Sequence, residues 1–296
     1  MRSCSIEDEY TVITDLSSDL RLKTHLVRSK ETQETRMCRG IEYLYHTKSA
    51  RADLEDALYD MLRVRCPYVI HYTDVYNEEG SKRYMALLSY NYKCTLEDYL
   101  REQQAKGETI SESMLWAILV RIVKALRYLH DPAKHGGRVI VHRDVRPSNM
   151  YMVDDSTVYL GDSIFCSSYT YPGSHVVGSA LTNMAYAPPE MMTSDVYTTA
   201  YDIWSLGCSL YELATGAKYS EIVKTAFPGL SYLQALERLQ MQALVIPGYS
   251  ESFCVNLQRM LHVDPTERPT AAGLLSLSGS NTSSLANSLS NCPDSC

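Results

Sequence analysis

The sequence predicts an α+β protein in two unequal parts, a small β-rich section with one helix followed by a larger, mainly α-helical section. Three observations carry that reading. Short runs of β-branched and apolar residues bounded by polar turns dominate the first 88 residues. Beyond residue 110, a long apolar rod with a thin polar stripe reads as a helix buried on most sides. With 45% apolar and 21% charged residues in 296, the chain can bury a sizeable core.

Residues 10–13 and 25–27 read as strands, and 29–34 form a polar turn before a third strand at 37–39. A helix is expected over 51–64, where Leu54, Leu58, Met61 and Leu62 share one face. Two further strands, 69–76 and 84–88, flank a turn at Gly80. Thr109 to Glu112 matches a capping box ahead of an apolar helix. Arg121, Lys124 and Arg127 form only a thin polar stripe on that helix, which places it at the centre of the larger part. Residues 139–141, 150–153 and 158–160 are strand-like, and helices dominate again from Asp202. Residues 278–296 are rich in Ser and Asn with a single charge, Asp294, and read as a disordered tail.

The net charge of −7, without a long basic run, argues against nucleic acid or an anionic membrane as the main partner. The longest apolar run, 114–120, ends at Arg121 and is too short to span a bilayer. The first residues lack the apolar stretch of a signal peptide. Nine scattered cysteines without a C-x-x-C pair fit reduced thiols, so a cytoplasmic location is expected.

The sharpest motif runs from His142 and Arg143 through Asp144 and Arg146 to Asn149. A carboxylate and an amide five positions apart in a tight loop suit phosphoryl transfer. The first accepts the proton of an attacking hydroxyl and the second helps hold Mg²⁺. Leu160-Gly161-Asp162 follows, then 187–190 ending in Glu190, 202–207 opening with Asp202, and 264–269 containing Arg268. In order and spacing these resemble a eukaryotic protein kinase domain, in wording most like the NIMA-related serine/threonine family. The resemblance covers residues 8–275.

That resemblance implies a bilobal kinase-like fold, with an N-lobe at 8–88, a hinge at 89–93, a C-lobe at 94–275 and a tail at 276–296. It implies Asp144 as base, Asn149 and Asp162 as metal ligands, and Arg146 in place of a lysine that contacts the transferred phosphate. His142 and Arg143 belong to the same catalytic loop. Glu190 and Arg268 would form the buried ion pair of the C-lobe, and Asp202 would brace the loop. ATP and Mg²⁺ are the implied cofactors of an active enzyme, and a protein substrate or partner is implied, with a cytoskeletal association open. Oligomeric state is not implied. Ser167, Ser168, Ser174 and Ser179 stand where an activation loop accepts phosphate, with Arg143 as its partner. An ordinary polar loop is the favoured reading of them.

The pattern fails on the nucleotide side. No glycine precedes Gly40, so the stretch from Leu16 to Leu22 has no phosphate-covering loop. Asp19 adds negative charge there, against Arg21 and Lys23. The strand lysine is replaced by Arg39, and Ala57 stands where a helix glutamate would anchor it, with Asp53 and Asp60 as conceivable substitutes. Ser163 and Ile164 replace the Phe and Gly after the metal-binding Asp, and Asn183 stands near a threonine position. Leu16, Arg39 and Asp162 are therefore the remaining candidates for nucleotide contact. The favoured expectation is a pseudokinase acting as scaffold or regulator. An active serine/threonine kinase and an ATP-binding sensor without catalysis are the alternatives.

Overall fold

The computed structural model describes residues 1–16, 22–43, 47–89, 91–154, 157–161, 167–170, 183–192 and 198–281. The first lobe is an antiparallel sheet in the order β1-β2-β3-β5-β4. Its strands are β1 (Tyr10–Asp15), β2 (Leu22–Ser29), β3 (Thr35–Glu42), β4 (Tyr72–Glu78) and β5 (Arg83–Leu88). Between β3 and β4 lies α1 (Lys48–Arg63), longer at its start than the periodicity indicated. Its stripe of Leu54, Leu58 and Met61 is buried in the main core, together with Met37 and Ile41 of β3.

The sheet is covered on its other face as well. Ile6, Val27, Cys38, Tyr76, Met85 and Leu87 form a second apolar cluster. Ile6 comes from the segment ahead of β1, and the Arg2 backbone pairs with the β4 edge through Arg2 N to Val75 O and Asn77 N to Arg2 O, both 2.8 Å. The lobe thus begins before the boundary at residue 8. Covering an edge strand also removes a row of free backbone groups.

The second lobe starts with β6 (Cys94–Thr95) and α2 (Leu96–Lys106), followed by α3 (Glu112–His130). Short strands β7 (Arg138–Val141), β8 (Met150–Met152), β9 (Val158–Leu160) and β10 (Ser167–Thr170) frame the loop at 142–149, with β6-β8-β9 and β10-β7 as small sheets. Then come α4 (Ala200–Thr215), α5 (Tyr219–Ala226), α6 (Tyr232–Gln240), α7 (Glu251–Met260) and α8 (Ala271–Asn281). The α+β, two-lobed architecture is the one the sequence predicts.

Three expectations are corrected. The N-cap of α3 is Ser111, whose Oγ accepts from Met114 N at 3.3 Å, and not Thr109. Glu112 instead accepts from Ser250 N (2.7 Å) and Oγ (2.6 Å), bracing the start of α7. The innermost helix is α4, buried at every residue from Tyr201 to Ala214, whereas α3 leaves Arg127 exposed. Finally, α8 continues to Asn281, past the 276 boundary of the expected tail, and residues 282–296 lie outside the described residues. No described helix is long and apolar enough to cross a membrane.

Candidate functional site

The buried polar groups of α4 organise the loop at 142–149. Asp202, with no exposed surface, accepts from His142 N and Arg143 N at 2.8 Å each, and lies 2.8 Å from His130 Nε2. Ser209 Oγ donates to Val145 O (3.0 Å), and Ser205 Oγ to Tyr186 O (2.9 Å). A polar group on a fully buried helix must find a partner, and the loop and the segment before Glu190 supply them. Arg143 adopts φ +65°, a left-handed geometry disfavoured for a non-glycine residue and retained only where surroundings enforce it.

The loop closes on itself around Asp144. His142 Nδ1 accepts from Asp144 N (3.3 Å), which leaves Nε2–H to donate to Gly161 O (2.9 Å). Arg146 Nε donates to Asp144 Oδ1 at 2.6 Å, and its Nη1 to Ser148 Oγ at 2.8 Å. Asn149 Nδ2 donates to Asp144 O (3.0 Å) and Oδ2 (3.2 Å). Both carboxylate oxygens of this buried Asp are thereby oriented. Burial works against the Arg146 charge, but the Asp144 carboxylate outweighs it and raises the guanidinium pKa.

Gly161 is required by close approach. A Cβ there would lie 2.1 Å from Asn149 Oδ1 and 2.4 Å from the Tyr151 ring. Its neighbour Asp162, with Ser163 and Ile164, lies outside the described residues, so only the Asn149 half of the expected metal pair is described.

Farther out, Arg268 Nη1 and Nη2 donate to Glu190 at 2.8 and 2.7 Å, and its ion stacks on Trp204 with 4.9 Å to the ring centroid. Asn183 is exposed and accepts from Ala185 N (3.1 Å), so it caps its own turn. Ser167 and Ser168 lie in β10, while Ser174 and Ser179 are outside the described residues.

The N-lobe candidates are arranged differently. Leu16 is 47% exposed at the end of β1, its N–H donating to Thr24 O at 2.7 Å. Asp19 and Arg21 are outside the described residues, and Lys23 lies beside Glu42 at 3.8 Å, on the strand position opposite Gly40. Neither Asp53 nor Asp60 takes Arg39. Asp53 is exposed, and Asp60 accepts from Arg138 Nη2 at 2.8 Å. Arg39, 5% exposed, reaches across the interlobe cleft and donates from Nη2 to the Tyr151 hydroxyl at 2.8 Å. The Tyr151 ring in turn packs on Tyr92, centroids 4.2 Å apart.

No feature of the sequence analysis singles out Tyr151. It lies two residues past Asn149, and the side chains of both approach Gly161.

A model of the protein kinase domain matches residues 23–278. The chain belongs to the protein kinase family. Within it, the similarity runs to NIMA-type kinases. It is 28% identical to serine/threonine-protein kinase Nek3 of Oryza sativa subsp. japonica, over 90% of this chain and 43% of that protein. G2-specific protein kinase nim-1 of Neurospora crassa is 27% identical, over 81% of this chain and 30% of that protein. Serine/threonine-protein kinase Nek1 of Mus musculus is 25% identical, over 86% and 20%. The chain spans less than half the length of these three relatives.

Members of this family that transfer phosphate use ATP with Mg²⁺. The described residues depart from that pattern on the nucleotide side. The cation that would meet its phosphates is bonded to Tyr151, α1 offers Ala57 where a carboxylate would hold that cation, and the first two strands bring no glycine.

Proposed function

We propose that this chain is a kinase-like domain of the NIMA type that has lost phosphoryl transfer and serves as a scaffold or regulator of a protein partner. The single observation that carries this reading is the Arg39 to Tyr151 hydrogen bond across the cleft. Phosphoryl transfer depends on positioning and on neutralising charge, so a phosphate-side cation engaged elsewhere acts directly on rate. Each 1.4 kcal/mol of lost transition-state stabilisation costs about tenfold. The free cysteines among the described residues suit a reducing compartment, and we place the domain in the cytosol.

One observation favours a second reading, an active serine/threonine kinase. Asp144 and Asn149 keep the mutual geometry that proton acceptance and metal binding need. A radiolabel transfer assay with Mg²⁺-ATP and a protein substrate, comparing wild type with Asp144→Asn, separates the two. Equal, background labelling supports the proposal. Labelling by wild type ten times that of the variant ends it.

A further inference from the structure

One side of α3 carries charge that the fold does not use. After Glu112 the helix has no acidic residue, yet Arg121, Lys124 and Arg127 follow at intervals of three. Residues at that spacing are neighbours on a helix, and like charges there repel, so the sequence departs from what folding favours. On α2, by contrast, Arg101 meets Glu97 and Asp98, and Lys106 meets Glu102. Among the described residues, Arg121, Lys124, Arg127 and Lys134 take part in no ion pair, although the chain has more carboxylates than bases.

These cations share a platform. Lys124 Nζ lies 3.4 Å from the Tyr68 hydroxyl and 5.3 Å from its ring centroid. One turn on, the Tyr128 hydroxyl accepts from Arg65 N at 3.0 Å, which draws the chain after α1 against α3. Lys134 Nζ stands 6.0 Å from the Tyr128 ring centroid. Lys124 and Tyr128, four positions apart, lie on one side of the helix, with the exposed Arg127 beside them. A ring face holds an ammonium in place without cancelling its charge. The nearby acids are engaged, since Asp60 accepts from Arg138 (2.8 Å) and Asp131 from Ala133 N (3.0 Å). His135, edge-on to Tyr128, adds no charge at neutral pH, because burial lowers its pKa.

We infer that this platform docks an acidic segment of a protein partner, whose Asp and Glu side chains pair with Arg121, Lys124, Arg127 and Lys134. From Arg121 to Arg127 the helix rises about 9 Å, room for several carboxylates of one peptide. A short acidic peptide suits it better than an extended polyanion. The net charge of −7 makes the molecule as a whole repel nucleic acid and anionic membrane. Tyr68 and Tyr128 also offer ring surface to the stems of the incoming side chains. The inference rests on the scaffold reading above and deepens it, by giving the partner a surface and a chemistry.

The test is fluorescence anisotropy on the full chain at low salt, with a labelled peptide of alternating Glu and Ala and its Gln counterpart. The Glu peptide is expected to bind at least about tenfold more tightly than the Gln peptide, and added salt should release it. Lys124→Glu combined with Arg127→Glu should weaken the Glu peptide at least about tenfold. Arg101→Glu combined with Lys106→Glu makes the same change of net charge on α2 and should leave the affinity within about twofold.

No binding of the Glu peptide by wild type, or an equal loss in both double variants, overturns the platform. So does tighter binding of single-stranded RNA or of phosphatidylserine vesicles than of the Glu peptide. If the Lys124→Glu double variant does not fold, Arg127→Glu combined with Lys134→Glu is read by the same criteria. The labelling assay decides the non-catalytic reading separately. Wild type that labels above Asp144→Asn ends that reading and leaves the platform, whereas a peptide that fails to bind ends the platform and leaves that reading.

Discussion

The two lobes handle buried charge in contrasting ways. In the C-lobe, two buried ions meet the partners that kinase spacing implies. Arg268 reaches Glu190, 78 positions away, and Asp202 gathers the backbone of His142 and Arg143. In the N-lobe, the ions have taken other partners. Arg39 is bonded to Tyr151, Asp60 to Arg138, and Arg51 contacts Glu55 and the Tyr84 hydroxyl. Burying a charge without a partner is costly, so a sequence that drops one ion pair must build others or lose stability. The N-lobe is therefore re-paired and not merely eroded.

The largest test of that contrast is Arg268→Ala. It removes a fully buried cation, and with it two hydrogen bonds to Glu190 and those to the carbonyls of His262, Val263 and Ala200. A loss of about 3–5 kcal/mol in chemical denaturation is expected. A loss below about 1 kcal/mol would remove the C-lobe pair as a pillar of the comparison. Gly161→Ala comes next, because its Cβ would overlap Asn149 and Tyr151. About 3 kcal/mol is expected from such overpacking, read as a lower denaturation midpoint with an unchanged slope.

Tyr151→Phe sharpens the comparison on the N-lobe side. It leaves the Arg39 guanidinium without its hydroxyl acceptor in a buried setting, for an expected loss of about 1.5 kcal/mol. No change in stability would show that the re-pairing contributes nothing.

The smallest effect concerns Glu78, which accepts from Ser5 Oγ (2.9 Å), Ile6 N (3.1 Å) and Arg83 Nε (2.5 Å). Burial pushes its pKa up, but the bonds from Arg83, Ser5 and Ile6 outweigh it and hold the carboxyl below its usual range. The folded state thus binds its proton later than the unfolded chain. The stabilisation is complete above the unfolded carboxylate pKa of about 4.3 and fades as pH falls through the lower folded value. Wild type should melt above Glu78→Gln at pH 7, and the gap should narrow between about pH 5 and pH 3.

Much of the C-lobe site was legible because its contacts are local. Asp144, Arg146, Ser148 and Asn149 bond to one another within five positions, so a short motif carries the geometry. Amphipathic spacing likewise gave α1 through Leu54, Leu58 and Met61. The Thr109 cap failed because Ser111 competes for the same helix end, and the polar side chain of Glu112 found a better use at Ser250. The centre of the C-lobe was misjudged for a related reason. The α4 residues Ser205, Ser209 and Glu212 are polar in sequence, yet each meets a buried partner.

By itself, the amino-acid order determined the family, the α+β division, the self-contained loop around Asp144 and the absence of any glycine ahead of Gly40. Those are matters of identity and short spacing, which a linear chain displays directly. Tertiary structure alone decided that Arg39 would meet Tyr151 across 112 positions, that Asp60 would meet Arg138, and that residues before β1 would seal the outer face of the sheet. A cation and its acceptor carry no mark of each other in sequence. Their pairing follows from which groups the packed lobes bring within hydrogen-bond reach, once burial has made an unpartnered ion too costly.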